Sequence, residues 1–350
     1  MLLYIHIPFC DSKCYYCSFN SYVDKFHLKE SYMEALLVQL DFELERFCVT
    51  PNSIETLFIG GGTPSTVAPK LYKNLFEKLK PYLKKDAEIT SEANPNSATK
   101  EWLLGMRALG VERISFGVQS FNKEKLRLLN RAHTPLQAKE AVLHAKEAGF
   151  ENISLDLIYA TLGDTKALLE EDLNTAFALP INHLSAYALT IEEGTPFASK
   201  PQISNERLEL TTWLFEKIKA FGFEQYEISN FGSYQSKHNL GYWEYKEYIG
   251  LGSGAVGKLA HERFYPTPDV EAYIANPLNI QKETLSDEEI RLEKVFLGLR
   301  SCVGIKQEIL GTQELYRAYL LADEKKLIFQ NGTFYNPEYL LADEIALFIS

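Results

Sequence analysis

Short apolar, β-branched segments alternate along the chain with longer segments whose apolar residues recur at helical spacing. The short segments predict six strands, at Leu2–Ile7, Ile54–Ile59, Ala87–Glu92, Arg113–Val118, Ile153–Ile158 and Leu184–Leu189. The longer segments predict helices, at Glu30–Phe47, Lys70–Leu83, Lys123–Asn130, Leu136–Ala148 and Lys166–Leu179. Strands and helices that alternate at this spacing form parallel βαβ units. The pattern therefore predicts an α/β fold, closed toward a barrel or open as a doubly wound sheet, with its chemistry at the carboxyl ends of the strands.

The alternation stops near residue 195, and the following sequence is aromatic, then glycine-rich, then helical. Leu285–Leu299 predicts a helix that begins behind Ser286-Asp-Glu-Glu289, a sequence that fits a capping box. Gly252-Ser-Gly-Ala-Val-Gly257 has the spacing of a dinucleotide-binding loop, but it lies outside any clear βαβ unit, so no such site is predicted. We expect two domains, one over residues 1–230 and a smaller, mainly helical one over residues 231–350.

Composition and charge narrow the class of protein. The 350 residues are 46% hydrophobic and 24% charged, which is typical of a folded globular protein and excludes a disordered chain. The excess of 47 acidic over 36 basic residues argues against a nucleic-acid partner held by a broad basic surface. No run of about 18 apolar residues predicts a transmembrane segment, and the N-terminal MLLYIHIPFC does not resemble a signal peptide. We expect a cytoplasmic protein.

Three of the five cysteines, Cys10, Cys14 and Cys17, lie on one short segment directly after the first predicted strand. The odd total, in a chain without a secretory leader, indicates a metal site rather than a disulfide framework. Three thiolates on one loop could hold three corners of a 4Fe–4S cluster and leave the fourth iron open to a chelating ligand.

Two other interpretations of these cysteines stay open on the residues alone. Zinc would need a fourth protein ligand, which His6 or His27 could supply. Buried thiols without a function are disfavoured, because the residues between Cys10 and Cys14 are polar. The remaining cysteines, Cys48 and Cys302, lie in apolar helical contexts and are expected to be small core residues.

The C-x3-C-x2-C spacing behind a strand resembles the radical S-adenosylmethionine (SAM) enzymes. Tyr4-Ile-His-Ile-Pro-Phe-Cys10 is similar to one branch of them, the oxygen-independent coproporphyrinogen III oxidases and their relatives. The resemblance implies a partial (β/α)6 barrel in which Cys10, Cys14 and Cys17 hold a 4Fe–4S cluster. It also implies that the amino and carboxylate groups of SAM chelate the fourth iron, where reduction cleaves SAM to a deoxyadenosyl radical.

Polar residues at the ends of the predicted strands match positions that contact SAM in this family. Gly60-Gly-Gly-Thr-Pro64 is one example, since glycines let backbone N–H groups approach a polar ligand closely. Taken singly, each residue is explained as well by a tight turn, a helix cap or a buried polar contact. The resemblance assigns SAM binding to Tyr4, Tyr16, Gly61, Gly62, Thr63, Glu92, Gln119, Arg131 and Asp156. One loop departs from the family, which usually has Gly-Leu-Pro-Gly-Gln-Thr where this chain has Ala160-Thr-Leu-Gly-Asp-Thr165.

Two features separate this chain from the oxidases that it resembles. The oxidases have a fourth cysteine where this chain has Phe19, and a long N-terminal extension where this chain has nine residues before Cys10. Lys237-His-Asn-Leu-Gly-Tyr-Trp243 instead matches the H-N-x-x-Y-W motif of the HemW branch, which consists of haem chaperones. Because an imidazole can ligate haem iron and aromatic rings can pack on a porphyrin, His238 is the predicted haem ligand.

The resemblance therefore implies a haem chaperone that binds a 4Fe–4S cluster, SAM and haem and passes haem to an acceptor, such as a respiratory haem protein. It implies no coproporphyrinogen oxidase activity and no catalytic residue. The first alternative is oxygen-independent coproporphyrinogen III oxidation, with decarboxylation of two propionates. The second is a radical enzyme that acts on a substrate other than a porphyrin.

Overall fold

The computed structural model describes residues 1–350, and the six predicted strands lie side by side in one parallel sheet. Each strand pairs with the next in the chain, as Leu3 does with Leu57. The first and last of the six are not paired with each other, so the predicted partial barrel is confirmed as an open one. These strands are β1 (Leu2–Ile7), β2 (Ile54–Gly61), β3 (Leu83–Ala93), β4 (Arg113–Gln119), β5 (Asn152–Tyr159) and β6 (His183–Ala188).

Helices connect these strands and cover one face of the sheet. All five predicted helices are present, together with two further ones, and the first of these two ends before Gly110, whose φ of +106° is the left-handed conformation favoured by glycine after a helix. Residues alternate between the faces of each strand, so Leu3 and Ile5 belong to the main core whereas Tyr4 faces the barrel interior. The helices are α1 (Lys29–Arg46), α2 (Pro69–Leu79), α3 (Lys100–Leu109), α4 (Lys123–Leu128), α5 (Pro135–Glu147), α6 (Lys166–Phe177) and α7 (Leu208–Ala220).

Further strands extend the sheet at both edges to twelve strands in all. The predicted domain boundary at residue 230 falls within this extension, because the strands that follow it belong to the same sheet. One added strand pairs antiparallel with β6, and another pairs parallel with β1. The added elements are β7 (Glu224–Gln225), β8 (Asn230–Gly232), α8 (Lys237–Trp243), β9 (Tyr248–Leu251), β10 (Gly257–Leu259), β11 (Glu262–Pro266), α9 (Val270–Ala275) and β12 (Ile280–Thr284).

A second hydrophobic core of 12 buried residues, including Val295, Phe334 and Ile345, lies in the last part of the chain. Its first helix begins at the predicted capping box, in which Glu289 N donates to Ser286 Oγ and Ser286 N to the Glu289 carboxylate. This part is mainly helical, as expected. Its elements are α10 (Asp287–Leu299), β13 (Ile305–Lys306), α11 (Thr312–Asp323), β14 (Ile328–Gln330), β15 (Thr333–Tyr335) and α12 (Ala342–Ile349). None of the helices combines the length and the apolar character needed to cross a membrane.

Candidate cofactor site

A single cleft of about 490 Å³ at the carboxyl ends of the parallel strands brings together most of the residues singled out in the sequence. They come from strands β2, β3, β4 and β5, from the cysteine loop after β1 and, in the case of Arg131, from the loop after α4, which are segments that lie far apart in the sequence. The cleft is lined by Cys10, Cys14, Cys17, Tyr16, Gly61, Gly62, Thr63, Glu92, Gln119, Arg131 and Asp156. Of the predicted site residues, only Tyr4 and His238 lie elsewhere.

The three cysteines surround the mouth of this cleft as free thiols. Cys10 Sγ lies 3.3 Å from Thr63 Oγ1, and the Arg131 guanidinium donates a hydrogen bond to Cys14 Sγ at 3.2 Å. Nowhere in the chain do three His, Cys, Asp or Glu side chains converge on one point as a single metal ion would require. The thiols instead border a shared open volume beside a cation, which fits an anionic cluster held by thiolates.

The glycine loop after β2 approaches the cysteine loop so closely that a side chain would not fit. A Cβ atom on Gly62 would lie 2.8 Å from the Ile7 carbonyl oxygen and 3.0 Å from Phe9 N. Gly61 has a φ of +107°, and its N–H donates to Glu92 Oε2 at 3.1 Å. The loop therefore presents backbone, rather than side chains, to the cleft.

Glu92 and Asp156 place two carboxyl groups on the same wall of the cleft. Burial, followed by the nearby Asp156 charge, raises the pKa of Glu92 to about 8. Burial also raises the pKa of Asp156, against the hydrogen bonds that it accepts from Ser185 and Ser115. Carboxylates in this position gain from hydrogen-bond donors or a positive charge on a bound ligand, which would relieve the cost of their burial.

Arg131 is fixed by a residue that the sequence analysis did not single out. Its Nη2 atom donates to Asn94 Oδ1 at 2.6 Å and to the Gly117 carbonyl at 2.5 Å. Asn94 Nδ2 in turn donates to Thr63 Oγ1 at 3.0 Å, which links the arginine to the glycine loop. The available signal was the position of Asn94, directly after β3 and two residues beyond Glu92.

The loop that departs from the family pattern contains a buried ion pair. Lys125 Nζ lies 2.7 Å from Asp164 Oδ1, and both side chains are at most 3% exposed. Asp164 Oδ2 also accepts the N–H of Thr161 at 2.9 Å, which closes the turn after β5. Ala160, at the start of this turn, has a φ of +62°, an uncommon conformation for a residue with a side chain. The aspartate thus stabilises a turn that lacks the family's proline.

Comparison with known proteins agrees with this geometry. Residues 4–176 match the model of the Radical SAM superfamily. The heme chaperone HemW of Bacillus subtilis (strain 168) is 35% identical, with 87% of this chain and 84% of the relative covered. The heme chaperone HemW of Escherichia coli (strain K12) is 40% identical over 73% of this chain and 70% of the relative. The chain belongs to the HemW family.

A solved structure extends the comparison to the fold. Coproporphyrinogen III oxidase (HemN) from Escherichia coli, a radical SAM enzyme, superposes with a TM-score of 0.81 at 20% identity. The match covers 99% of this chain and 89% of that chain, so it includes the C-terminal elements as well as the barrel. Membership of the radical SAM superfamily implies a 4Fe–4S cluster and SAM, and the residues of the cleft fit both.

In this member of the HemW family, the H-N-x-x-Y-W motif forms α8 and closes the amino-terminal end of the barrel, opposite the cysteine cleft. The Glu88 carboxylate of β3 accepts the N–H groups of Lys237 and His238 at 2.9 and 3.0 Å. A Cβ atom on Gly241 would lie 2.6 Å from Leu2 Cδ1, so the glycine allows the helix to pack closely on β1. The motif thus has a structural role that its sequence alone does not reveal.

His238, the predicted haem ligand, is 1% exposed, and both of its ring nitrogens have partners. Nδ1 lies 2.7 Å from Thr56 Oγ1 and Nε2 lies 3.0 Å from the Tyr242 hydroxyl. Burial, followed by the Arg113 charge, lowers the pKa of His238 to about 3, so the ring is neutral. In this conformation the imidazole is not available to a haem iron. The other residue outside the cleft, Tyr4, lines a neighbouring cavity.

The two cysteines outside the loop do not occupy the positions expected from their context. Cys48 and Cys302 are exposed, so their prediction as core residues is wrong. Cys48 lies beyond the last residue of α1, Arg46, and its φ of +48° is not helical, so the buried face of the helix does not extend to it.

Proposed function

We propose that this protein is a haem chaperone that binds a 4Fe–4S cluster, SAM and haem, and passes haem to an acceptor haem protein such as a respiratory enzyme. The observation that carries the proposal is the similarity to several curated heme chaperones HemW, at 33–40% identity over most of the chain. The cleft supports the cofactor part of the proposal, because it joins three thiols to the residues that the family uses for SAM.

In this proposal Cys10, Cys14 and Cys17 hold the cluster, and the strand ends hold SAM. When bound, the reduced cluster supplies an electron to SAM. The Arg131 guanidinium, fixed by Asn94, neutralises charge beside the cysteine loop. The backbone of the glycine loop and the two carboxyl groups of the cleft hold the polar groups of SAM. The residues of the cleft that we assign to SAM are Tyr16, Gly61, Gly62, Thr63, Glu92, Gln119, Arg131 and Asp156, whereas Tyr4, which the resemblance also assigns to SAM, lies outside the cleft.

The experiment is anaerobic reconstitution with iron and sulfide, followed by haem titration and transfer of haem to apomyoglobin. We expect about four irons per chain, a Soret band that saturates at one haem per chain, and faster haem transfer than from free haem. A triple variant, Cys10→Ser with Cys14→Ser and Cys17→Ser, should lose the cluster. The matched control, Cys48→Ser with Cys302→Ser, changes two exposed cysteines and should keep it. Absence of haem binding by the wild type would overturn the proposal.

The alternative function is coproporphyrinogen III oxidation, because the chain shares its fold with an enzyme that catalyses this reaction. This chain has Phe19 where the oxidases have a fourth cysteine. The assay supplies the reconstituted protein with coproporphyrinogen III, SAM and a reductant, and measures loss of two carboxyl groups as CO₂. We expect no decarboxylation above that of the triple cysteine variant; turnover would identify an enzyme instead.

A further inference from the structure

A second cavity, larger than the cysteine cleft, lies between the barrel and the C-terminal part of the chain. Its volume is about 840 Å³, within the size range of pockets that enclose cofactors. Tyr4 and His6 of β1 form its inner wall, and Leu292 and Phe296 of α10 form its outer wall. The glycine-rich loop between β9 and β10 closes one side, with Gly254 against the Asn20 side chain.

The walls of this cavity are mainly apolar and aromatic. Ten of its eighteen lining residues are hydrophobic, among them Tyr242, Tyr245 and Tyr248 of the segment around α8. Tyr242 and Tyr248 pack edge to face, with ring centroids 4.8 Å apart. Aromatic walls on several sides suit a flat, largely apolar ligand, which gains both from burial and from ring contacts.

One cation in this cavity has no acidic partner. Lys246 pairs with Glu244 and Glu55, and Arg263 pairs with Glu293. Lys258 is only 5% exposed, yet its Nζ atom donates only to the Tyr245 carbonyl, at 3.3 Å.

The surroundings of Lys258 offer weak compensation for its charge. Its Nζ atom lies 3.9 Å from the centroid of the Tyr245 ring, in a cation–π contact. Burial lowers the pKa of Lys258, against the opposing effect of the Glu247 and Glu293 charges, which are not close enough to form an ion pair with it. A buried ammonium group that contacts no carboxylate is compensated when a ligand brings an anionic group to it.

We propose that this cavity is the haem site, in which the tetrapyrrole plane packs among the tyrosines and a propionate pairs with Lys258. The proposal rests on the proposed function and locates its ligand away from His238. His238 is then a positioning residue, since its imidazole contacts the Tyr242 hydroxyl rather than the cavity. The ligand class is a flat, largely apolar macrocycle with carboxylates at its edge; the macrocycle distinguishes haem from SAM, which also carries a carboxylate.

The test compares haem with haem dimethyl ester, in which both propionates are esterified, on the reconstituted full-length chain. Wild type should bind haem roughly tenfold more tightly than the ester, because a hydrogen bond to a charged group is lost in the ester. In Lys258→Ala the two ligands should bind with similar affinity, whereas Lys258→Arg should keep most of the preference. The matched control Lys217→Ala changes a lysine on α7 that pairs with Glu170, and it should leave the preference unchanged.

A second variant tests the cavity itself. Leu292→Trp fills the space between α10 and the tyrosines and should weaken haem and its ester alike, by at least tenfold. If Lys258→Ala and Leu292→Trp both bind haem as the wild type does, the cavity is not the haem site, although the chaperone proposal stands. If the wild type binds no haem, the proposed function fails first. A change of the haem-to-ester ratio in His238→Ala as large as that in Lys258→Ala would also overturn the assignment.

Discussion

The Nε2 atom of His238 lies 3.0 Å from the hydroxyl oxygen of Tyr242, one helical turn further along α8. His238 is fully buried at the amino-terminal end of the barrel, whereas the Tyr242 ring lines the 840 Å³ cavity beside α10, here called the aromatic cavity. The contact therefore connects the end of the barrel to the wall of that cavity. The Phe58 ring stacks on the His238 ring, with centroids 4.9 Å apart, and on the Tyr4 ring of β1, with centroids 6.2 Å apart. His238 therefore does not contact the cavity itself, and it influences the cavity through the positions of Tyr242 and Phe58.

Replacement of His238 should primarily lower stability. In His238→Ala, the buried Thr56 hydroxyl loses its partner and a cavity opens beside Phe58, which should reduce the free energy of unfolding by about 2–4 kcal/mol. Urea denaturation of the cluster-free protein measures this change. His27→Ala removes an exposed histidine and should leave the midpoint within error. Wild-type stability in His238→Ala would contradict the buried placement.

Glu92 should make the cluster-free protein less stable as the pH rises. Its pKa is about 8 in the folded protein against an ordinary value of 4.5, so the folded state binds the proton more tightly than the unfolded state. Stability is then greatest below about pH 4.5 and falls as the pH rises toward 8. We expect Glu92→Gln to be roughly 1–3 kcal/mol more stable than wild type at pH 8, with the difference shrinking toward pH 4.5.

Glu55 is the control of opposite sign for this measurement. Its hydrogen bonds to Lys84 and Lys246 lower its pKa to about 2. A depressed pKa contributes stability above the unfolded value of 4.5, and that stability is lost as the pH falls toward 2. Glu55→Gln should therefore be less stable than wild type at neutral pH. A Glu92→Gln variant whose stability follows the wild type at every pH would show that Glu92 ionises normally.

The ion pair between Lys125 and Asp164 should be costly to break from one side. Lys125→Met leaves an unpaired carboxylate in a fully buried position and should lower the free energy of unfolding by roughly 3–5 kcal/mol. Adding Asp164→Leu removes that charge and should recover part of the loss, though not the hydrogen bond from Thr161 N. Chemical denaturation of the two single variants and the double variant measures the coupling. Additive effects in the double variant would contradict a direct pair.

Gly62→Ala should impair the cofactor cleft while the fold persists. The added Cβ atom would lie 2.8 Å from the Ile7 carbonyl, so the glycine and cysteine loops must separate. We expect SAM affinity of the reconstituted protein to fall at least tenfold in equilibrium dialysis. Gly163→Ala is the control, since nothing lies within 4 Å of its Cβ position. Equal SAM affinity in both variants would show that the close approach of the two loops is not needed.

The periodicity of the sequence was sufficient to predict the parallel strands, because each of them carries a buried face that repeats locally. It predicted Leu2–Ile7 at the bounds that the structure has. Asn94 could not be selected in the same way, because its role depends on its hydrogen bonds with Arg131, which follows α4, and with Thr63, which follows β2. Local patterns identify such residues as polar and exposed, whereas their partners depend on how the strands are arranged.

His238 shows why spacing did not reveal the role of the last motif. The residue type and the adjacent aromatic residues suit a haem ligand. His238 is nevertheless buried, because the chain after β8 packs α8 against the end of the barrel. That return places His238 against Thr56, 182 residues earlier in the sequence. The pairing of β9 with β1, which lies more than 240 residues earlier in the chain, is another contact that the local sequence does not indicate. Long-range pairings of this kind leave no local signature.

Phe19 lines both the cysteine cleft and the cavity beside α10, so a single side chain borders both of the proposed binding sites. If a ligand in one site displaced this ring, the free energy of binding in the other site would change. Thermodynamic reciprocity then requires the two effects to be equal, whichever ligand binds first. Binding of SAM in the cleft would then change the affinity for haem, and binding of haem would change the affinity for SAM by the same factor.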